Sequence, residues 1–285
     1  MDYLFLLCGR RPATGTFRYM DLGGRTALLT GATGGLGRAI AAALAARGAK
    51  LILSSRKTEE LVKLARSLPG GGHTALVGDL AEEGAALALL EQAGDIDVLV
   101  ANAALPASGS LEGFSQDEIG RALRVNLESP VRMTRELLPH WLQRGSGHFV
   151  FISSISGFAS TPRASLYAAT KFGLRGFALA LHEELIGTGV GVSVILPGFI
   201  SDAGMFAESG AKLPPFVGTK RPDDVARAVV KAIEANRAEL DVAPLPLRAG
   251  AHLAALAPGP IGTIQRKLGA TTTAAQFEKG QADKR

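Results

Sequence analysis

The chain alternates short apolar runs with longer stretches of helical periodicity, and this alternation constrains its fold more than any other feature. The short runs are rich in branched apolar residues and end at glycine or polar residues, as β-strands do. Several are almost continuously apolar, which indicates a sheet covered by helices on both faces. Strand–helix–strand units with right-handed crossovers therefore predict an α/β fold with a doubly wound parallel sheet. The predicted strands are 25–30, 50–55, 73–79, 96–102, 148–154, 191–198 and 239–244. The predicted helices are 34–48, 58–68, 81–94, 115–143, 164–186 and 221–236.

The domain organisation follows from length and from the absence of a linker. We expect one domain over 20–244, because no repeat or linker divides the sequence and its hydrophobic fraction of 47% can fill a large core. Residues 1–19 are predicted to be a disordered extension, since the apolar run from Tyr3 to Cys8 is too short for a membrane span or a signal-peptide core. The tail 245–285, which is apolar with scattered basic residues over 245–270, could be a cap on a pocket, a subunit contact or a membrane-surface helix. We favour the cap.

Composition argues against several classes of function. The single cysteine, Cys8, forms no intramolecular disulfide, and the five histidines lack metal-ligand spacing. We therefore expect no metal site and a soluble, cytoplasmic protein. The net charge of +5 is scattered among acidic residues and aromatic residues are only 6% of the chain, so nucleic acid is not the expected partner.

The stretch TGATGGLG, residues 30–37, lies directly between the first predicted strand and the first predicted helix. Glycines here allow a tight turn and let the backbone approach a pyrophosphate, which the free N–H groups of the helix N-terminus then hold. This context predicts dinucleotide binding on a Rossmann-type sheet.

Tyr167 and Lys171 lie four residues apart in an otherwise apolar helix. Residues at that spacing share one helix face. Taken alone, the pair fits an amphipathic helix with a snorkelling lysine. It also fits a phenol whose pKa a neighbouring ammonium lowers for acid–base chemistry.

Several motifs together resemble the short-chain dehydrogenase/reductase family, in its shorter, single-domain branch. The resemblance runs from about Asp21 to Pro244 and rests on the glycine turn and on five later motifs in matching order. These motifs are GDL (78–80), ANAA (101–104), RVNLESP (124–130), FISSISG with YAATK (151–171) and LPG (196–198).

The resemblance implies four catalytic residues. Tyr167 is expected to be the general acid or base, and Lys171 is expected to lower the Tyr167 pKa and to hold the nicotinamide ribose. Ser154, thirteen residues before Tyr167, is expected to orient the substrate oxygen, in preference to Ser153. Asn126 is expected to hold a water that connects Lys171 to solvent.

The resemblance and the glycine turn together imply the residues that hold the cofactor. The turn after the fourth strand departs from the family pattern at two positions, where Ala101 and Ala104 replace an asparagine and a glycine. Asp202 stands where a threonine usually contacts the nicotinamide, so we assign it no role. The expected cofactor contacts are Gly31, Thr33, Gly34, Gly35, Leu36, Gly37, Ser55, Arg56, Asp79, Leu80, Asn102, Ala103, Tyr167, Lys171, Pro197 and Gly198.

The end of the second strand predicts NADP(H) over NAD(H). An NAD enzyme of this fold usually carries an acid there, to bind the ribose 2′-hydroxyl. This chain has Ser54, Ser55, Arg56 and Lys57 instead. A guanidinium can bind a 2′-phosphate through two parallel donors, whereas Arg56 and Lys57 could also be solvated charges before a helix.

The sequence thus predicts an NADP-dependent oxidoreductase that interconverts a carbonyl and an alcohol. The alternatives are a dinucleotide-binding regulator without turnover and a sugar-nucleotide epimerase or dehydratase of the family's extended branch. The segment 201–218 predicts a lid over an apolar pocket, with Met205, Phe206 and Phe216, and hence an apolar small-molecule substrate. The resemblance implies a homodimer or homotetramer that pairs through the helices carrying Asn126 and Tyr167.

Overall fold

A computed structural model describes residues 20–211, 213, 217–267 and 269–281. The predicted extension 1–19 and Phe216 of the predicted lid lie outside this part of the chain. The described residues form seven strands in one parallel sheet. The strands are β1 (Thr26–Thr30), β2 (Lys50–Ser55), β3 (Thr74–Val77), β4 (Val98–Ala101), β5 (Gly147–Ile152), β6 (Val190–Pro197) and β7 (Glu239–Val242).

The strand order is β3-β2-β1-β4-β5-β6-β7, so the chain reverses its direction across the sheet between β1 and β4. Every pairing is parallel, with Leu28 opposite Ile52 on one side and Leu99 on the other. This confirms the predicted doubly wound sheet. In such a sheet, ligands bind beyond the carboxyl ends of the strands at the point of reversal.

Eleven α-helices surround the sheet in the described part of the chain. They are α1 (Gly35–Ala46), α2 (Thr58–Ser67), α3 (Ala85–Ala93), α4 (Gln116–Leu123), α5 (Ser129–Arg144), α6 (Ser165–Glu184), α7 (Gly204–Ser209), α8 (Pro222–Ala235), α9 (Leu245–Leu256), α10 (Pro258–Lys267) and α11 (Ala270–Lys279).

Two apolar layers lie on opposite faces of the sheet, which explains why β5 and β6 are buried along their whole length. One layer packs α1, α2 and α8 against the strands. The other packs α3, α5 and α6, and it includes Trp141, whose ring lies 4.3 Å from that of Phe149. Leu247 and Ala251 of α9 also pack against this second layer, so the tail is joined to the body through α9.

Two details of the predicted helices are wrong. The sequence favours Thr58 as the N-cap of the second helix, but Thr58 is the first residue of α2 and Lys57 occupies the cap position, where the Ser55 hydroxyl accepts a hydrogen bond from the Lys57 N–H. The predicted helix 115–143 is interrupted by a π-helical turn over Arg124–Glu128, between α4 and α5. Single π-turns inside α-helices often occur at functional sites, and this one contains Asn126.

None of the described helices is both long enough and apolar enough to cross a lipid bilayer.

Candidate active site

A cavity of about 420 Å³ lies beyond the carboxyl ends of the central strands. Its lining comes from the segments that follow β1, β4, β5 and β6, and most of it is apolar. Leu36 of the glycine turn, Asn102, Ser154, Tyr167 and Lys171 all line this one cavity. The fold therefore brings three of the four predicted catalytic residues together beside the predicted cofactor turn, whereas Asn126 is not among the described residues that line this cavity.

Tyr167 lies in the first turn of α6, where its N–H donates to the carbonyl of Ala107. Burial raises the pKa of Tyr167, and a hydrogen bond with the Ser154 side chain opposes that rise. The expectation that Lys171 lowers the Tyr167 pKa is wrong for this structure. The reason is that desolvation of the phenolate dominates, and the Lys171 ammonium is directed elsewhere.

The Lys171 ammonium is buried one helical turn beyond Tyr167. Its Nζ donates to the carbonyl of Ile152 at 2.9 Å and lies 5.6 Å from the centre of the Tyr167 ring. Burial lowers the pKa of Lys171 to about 8, because the charged form loses its hydration. This lysine therefore gives up a proton more readily than an exposed one.

The two serines after β5 face different partners. The Ser154 hydroxyl accepts from the N–H of Ser156 at 3.1 Å and donates to the carbonyl of Pro197 at 3.4 Å, and its side chain opposes the rise in the Tyr167 pKa. The Ser153 hydroxyl instead donates to the carbonyl of Lys171 at 2.9 Å. Both serines line the cavity; Ser154 is the one that affects the Tyr167 pKa, and Ser153 fixes α6 against the strand.

The Asn126 side chain is buried and bonded to backbone. Its Oδ1 accepts from the N–H of Leu105 at 2.7 Å, and its Nδ2 donates to the carbonyl of the same residue at 3.0 Å. These two bonds hold the segment after β4 against the π-turn. A water relay through Asn126 stays a prediction.

The glycine turn has the shape that a dinucleotide site requires. Gly31 has a φ of 65°, and a Cβ at Gly31 would lie 2.8 Å from the Cα of Ala103. A Cβ at Gly37 would lie 2.2 Å from the Gly31 carbonyl oxygen. No side chain caps the N-terminus of α1. The first N–H groups of the helix therefore have no side-chain acceptor, and an anion can take that place. These residues fit a pyrophosphate.

Other residues of the turn lie beside different neighbours. Leu36 lines the cavity, and the carbonyl of Thr33 accepts from Arg38 Nε at 2.9 Å. Gly34 is the cap residue of α1. A Cβ at Gly35 would lie only 2.3 Å from the Cβ of Ala203, so the segment after β6 lies directly on the turn.

Asn102 and Ala103 tie the end of β4 to the glycine turn. The Asn102 side chain donates to the carbonyls of Thr30 and Gly31, at 3.0 and 3.1 Å. The Thr30 hydroxyl accepts from the N–H groups of Asn102 and Ala103, each at 3.1 Å. In this structure both residues shape the turn, and Asn102 also lines the cavity.

The predicted adenosine-binding residues follow β2 and β3. The exposed Arg56 guanidinium lies 3.7 Å from Asp79 Oδ2, too far for a hydrogen bond. Asp79 Oδ1 accepts from the N–H of Ala81, and Leu80 is buried. Ser55 is the last residue of β2, and Arg56 follows it directly, so no acidic residue stands at the end of this strand.

Pro197 and Gly198 line the cavity at the end of β6. A Cβ at Gly198 would lie 2.8 Å from the Cβ of Ala243, so only glycine fits there. Asp202 has a φ of 67° and is 64% exposed, with its carboxylate 3.7 Å from Arg221. It does not line the cavity among the described residues.

The sequence favours a tail that caps the pocket, but it does not indicate which tail residues line the cavity. Leu247 and Ala251 of α9 and Thr273, Ala274 and Phe277 of α11 line it, together with Arg163 before α6. The tail residues carry no motif and lie about a hundred residues from Tyr167 in sequence, so no local signal could have placed them. Met205 and Phe206 of the predicted lid do line the cavity.

Comparison with known proteins identifies the family. The family model for short chain dehydrogenase matches residues 25–214. The Ketoacyl reductase HetN from a Nostoc species is 38% identical over 227 residues, which cover 78% of this chain and 79% of that protein.

Solved structures agree. A short-chain dehydrogenase from Streptomyces avermitilis is 27% identical with a TM-score of 0.70, over 87% of this chain and 98% of that one. A 3-ketoacyl-(acyl-carrier-protein) reductase from Brucella melitensis, complexed with NADH, is 25% identical with a TM-score of 0.68, over 78% of this chain and 97% of that one. This chain therefore belongs to the short-chain dehydrogenase/reductase family and is an NAD(P)-dependent oxidoreductase.

Proposed function

We propose that this chain interconverts an apolar carbonyl compound and its alcohol with NADP(H), and that Tyr167 is the general acid or base. The observation that carries the proposal is the convergence of Ser154, Tyr167 and Lys171 on one largely apolar cavity beside the glycine turn. A related protein named a ketoacyl reductase supports a carbonyl substrate.

The proton chemistry follows from the environment of the phenol. When bound, the nicotinamide supplies a hydride to the carbonyl carbon, or takes one from the alcohol. In reduction the Tyr167 hydroxyl donates its proton to the carbonyl oxygen, which the Ser154 hydroxyl orients. Because burial raises the pKa of Tyr167, the hydroxyl stays protonated at neutral pH and holds the proton that the reduction requires.

Lys171 is suited to restore that proton. With a pKa of about 8, its ammonium is charged at neutral pH but releases a proton more easily than an exposed lysine. We assign it two roles, holding the nicotinamide ribose and reprotonating the Tyr167 phenolate, with a water near Asn126 as the connection to solvent.

The preference for NADP(H) rests on the residues after β2. Arg56 is exposed, and its distance to Asp79 is too long for a hydrogen bond. The two residues before Arg56, at the end of β2, are serines and not acids. A 2′-phosphate at this position would gain a charge-assisted contact, whereas a ribose 2′-hydroxyl would find no carboxylate from β2.

Cofactor absorbance tests the function directly. We expect the protein to consume NADPH on addition of medium-chain ketones or aldehydes. NADPH binding without consumption across a broad carbonyl panel would favour the regulator, and activity confined to sugar nucleotides would favour the epimerase or dehydratase.

We place the enzyme in the cytoplasm, because a single cysteine suits a reducing compartment. Cell fractionation tests this: recovery of the protein outside the cytosolic fraction would contradict it.

A further inference from the structure

Arg163 is a charged residue in the cavity lining that the proposed chemistry does not use. Among the described lining residues, Arg163 and Lys171 carry the charges, both positive, and none is acidic. Lys171 belongs to the catalytic group. The Arg163 side chain is 41% exposed, so its guanidinium lies where this largely apolar cavity meets solvent and can contact an anionic group on whatever enters.

The backbone holds Arg163 in an uncommon conformation. Its φ is 61°, in the left-handed region that residues with a side chain rarely adopt. The Arg163 carbonyl accepts a hydrogen bond from the N–H of Gly109 at 2.6 Å, so the loop before α6 is bound to the loop after β4. Strain that surrounding contacts maintain beside a catalytic residue, here Tyr167, is a mark of function.

A carboxylate of the protein itself is already bound to the Arg163 guanidinium. Glu278 of α11 forms an ion pair with Arg163 Nη1, and its other oxygen accepts from the N–H of Ser110 at 3.1 Å. The same helix lines the cavity through Thr273, Ala274 and Phe277. At its end, the Gln281 side chain donates to the carbonyl of Met205 at 2.7 Å. Helix α11 thus covers the cavity and presents a carboxylate to Arg163.

We propose that Arg163 binds a carboxylate of the substrate, and that Glu278 occupies this position until the substrate displaces it. The substrate class is then an aliphatic oxo- or hydroxy-carboxylate, with an apolar chain in the cavity and the acid group at Arg163. The planar guanidinium suits a carboxylate, and the Glu278 contact shows that the position accepts one. This inference rests on the proposed function for the reaction, but the binding it claims needs no turnover.

Calorimetric titration with decanoate and with methyl decanoate, its uncharged counterpart, tests the proposal on the full chain. Wild type is expected to bind decanoate more tightly than the ester. Arg163→Gln should lower decanoate affinity about 10- to 100-fold, the worth of a charge-assisted contact, and change ester affinity by much less. Glu278→Gln should raise decanoate affinity, because the competing carboxylate is removed. Arg266→Gln, on the exposed face of α10, is the control and should match wild type.

The opposite signs for the two variants separate substrate binding from a structural clamp. A clamp predicts that Arg163→Gln and Glu278→Gln weaken both ligands alike, and that result would overturn the proposal. Wild type that binds the ester as tightly as decanoate would also overturn it. If Arg163→Gln does not fold, Arg163→Lys keeps the charge and should retain a preference for decanoate, smaller than that of wild type. Absence of NADPH-dependent turnover by wild type with both neutral and acidic carbonyl compounds would instead count against the proposed function.

Discussion

Arg56 is the residue whose substitution reports most directly on cofactor choice. Its guanidinium lies at the end of β2, and its long contact to Asp79 leaves it able to bind a 2′-phosphate. We expect Arg56→Ala to weaken NADPH binding about 10- to 100-fold, as for a lost charge-assisted hydrogen bond, and to leave NADH binding nearly unchanged. Fluorescence titration with both cofactors measures this.

The matched control is Arg66→Ala, an exposed arginine at the other end of α2, which should bind both cofactors as wild type does. Wild type that binds NADH as tightly as NADPH would refute the preference for NADP(H).

At the residue scale, the sequence could predict which side chains meet but not how their charges behave. The spacing of thirteen residues selects Ser154, and in the structure Ser154 affects the Tyr167 pKa while the Ser153 hydroxyl donates to the Lys171 carbonyl. The direction of the Tyr167 pKa shift was unpredictable, because it depends on burial. Arg163 and Glu278 meet across 115 residues of chain, and no local pattern signals that contact.

Gly37 is the element-scale test of the glycine turn. A Cβ there would lie 2.2 Å from the Gly31 carbonyl oxygen and 2.8 Å from Ala32. Because these neighbours are backbone, Gly37→Ala must displace the turn, and we expect a loss of about 1–3 kcal/mol in the free energy of unfolding. Denaturant titration gives the value.

Gly176→Ala in α6 is the matched helical control, since a Cβ at Gly176 meets nothing within 4 Å. That variant should gain about 0.5–1 kcal/mol from helix propensity. Equal effects of the two substitutions would mean that the turn can relax around a side chain.

The buried His148 side chain on β5 is expected to make the stability of the protein depend on pH. Burial lowers the pKa of His148 to about 3, with the charge of His182 adding to the effect. Its folded pKa lies below the unfolded value near 6.5, so the unfolded chain binds more protons between these values. Stability should therefore fall as the pH drops below about 6.5, by up to roughly 1.4 kcal/mol per pH unit.

Urea unfolding at pH 7.5 and pH 5 checks this, with His148→Gln compared to wild type. The variant should lose about 2 kcal/mol less than wild type over that interval. His140→Gln, at an exposed position, serves as the control and should follow wild type. An identical pH dependence in wild type and His148→Gln would exclude His148 as the source.

At the element scale, the seven predicted strands and the helices α1–α6 and α8 could be read from periodicity, because their sequences display an apolar pattern. Helix α7 could not, since it buries no residue and lies in the segment predicted as a lid. The π-turn between α4 and α5 could not. It accompanies the two bonds from Asn126 to the backbone of Leu105, a contact between distant elements that periodicity does not encode.

At the scale of the whole molecule, the helices α4, α5 and α6 carry apolar side chains that are exposed to solvent. Leu123 of α4, Leu142 of α5 and Phe172 of α6 are each about 40% exposed, at 38%, 42% and 43%. Exposed apolar residues on neighbouring helices suit a subunit interface. We predict a homodimer or homotetramer, and Phe172→Glu should shift it toward monomer.

Light scattering at micromolar concentration measures the oligomeric state of both proteins. Lys63→Glu, at an exposed position of α2 on the opposite face of the sheet, is the control and should leave the assembly intact. A wild-type protein that is monomeric throughout would refute the assembly.

At the scale of the whole chain, the sheet order and its point of reversal place the cofactor turn beside the catalytic helix, as the alternation of elements predicts. The tail is the part that sequence patterns described least. Two of its three helices, α9 and α11, line the cavity. The substrate chamber is thus completed by the segment whose secondary structure the sequence predicts least well.

Tyr167→Phe tests the assigned chemistry most directly. The substitution removes the hydroxyl that would donate the proton and keeps the ring that packs beside Lys171. With NADPH saturating and an accepted carbonyl substrate, turnover should fall at least about 100-fold, the low end for a lost general acid, while NADPH affinity stays within about twofold. Turnover equal to that of wild type would contradict Tyr167 as the proton donor, and with it the proposed reaction.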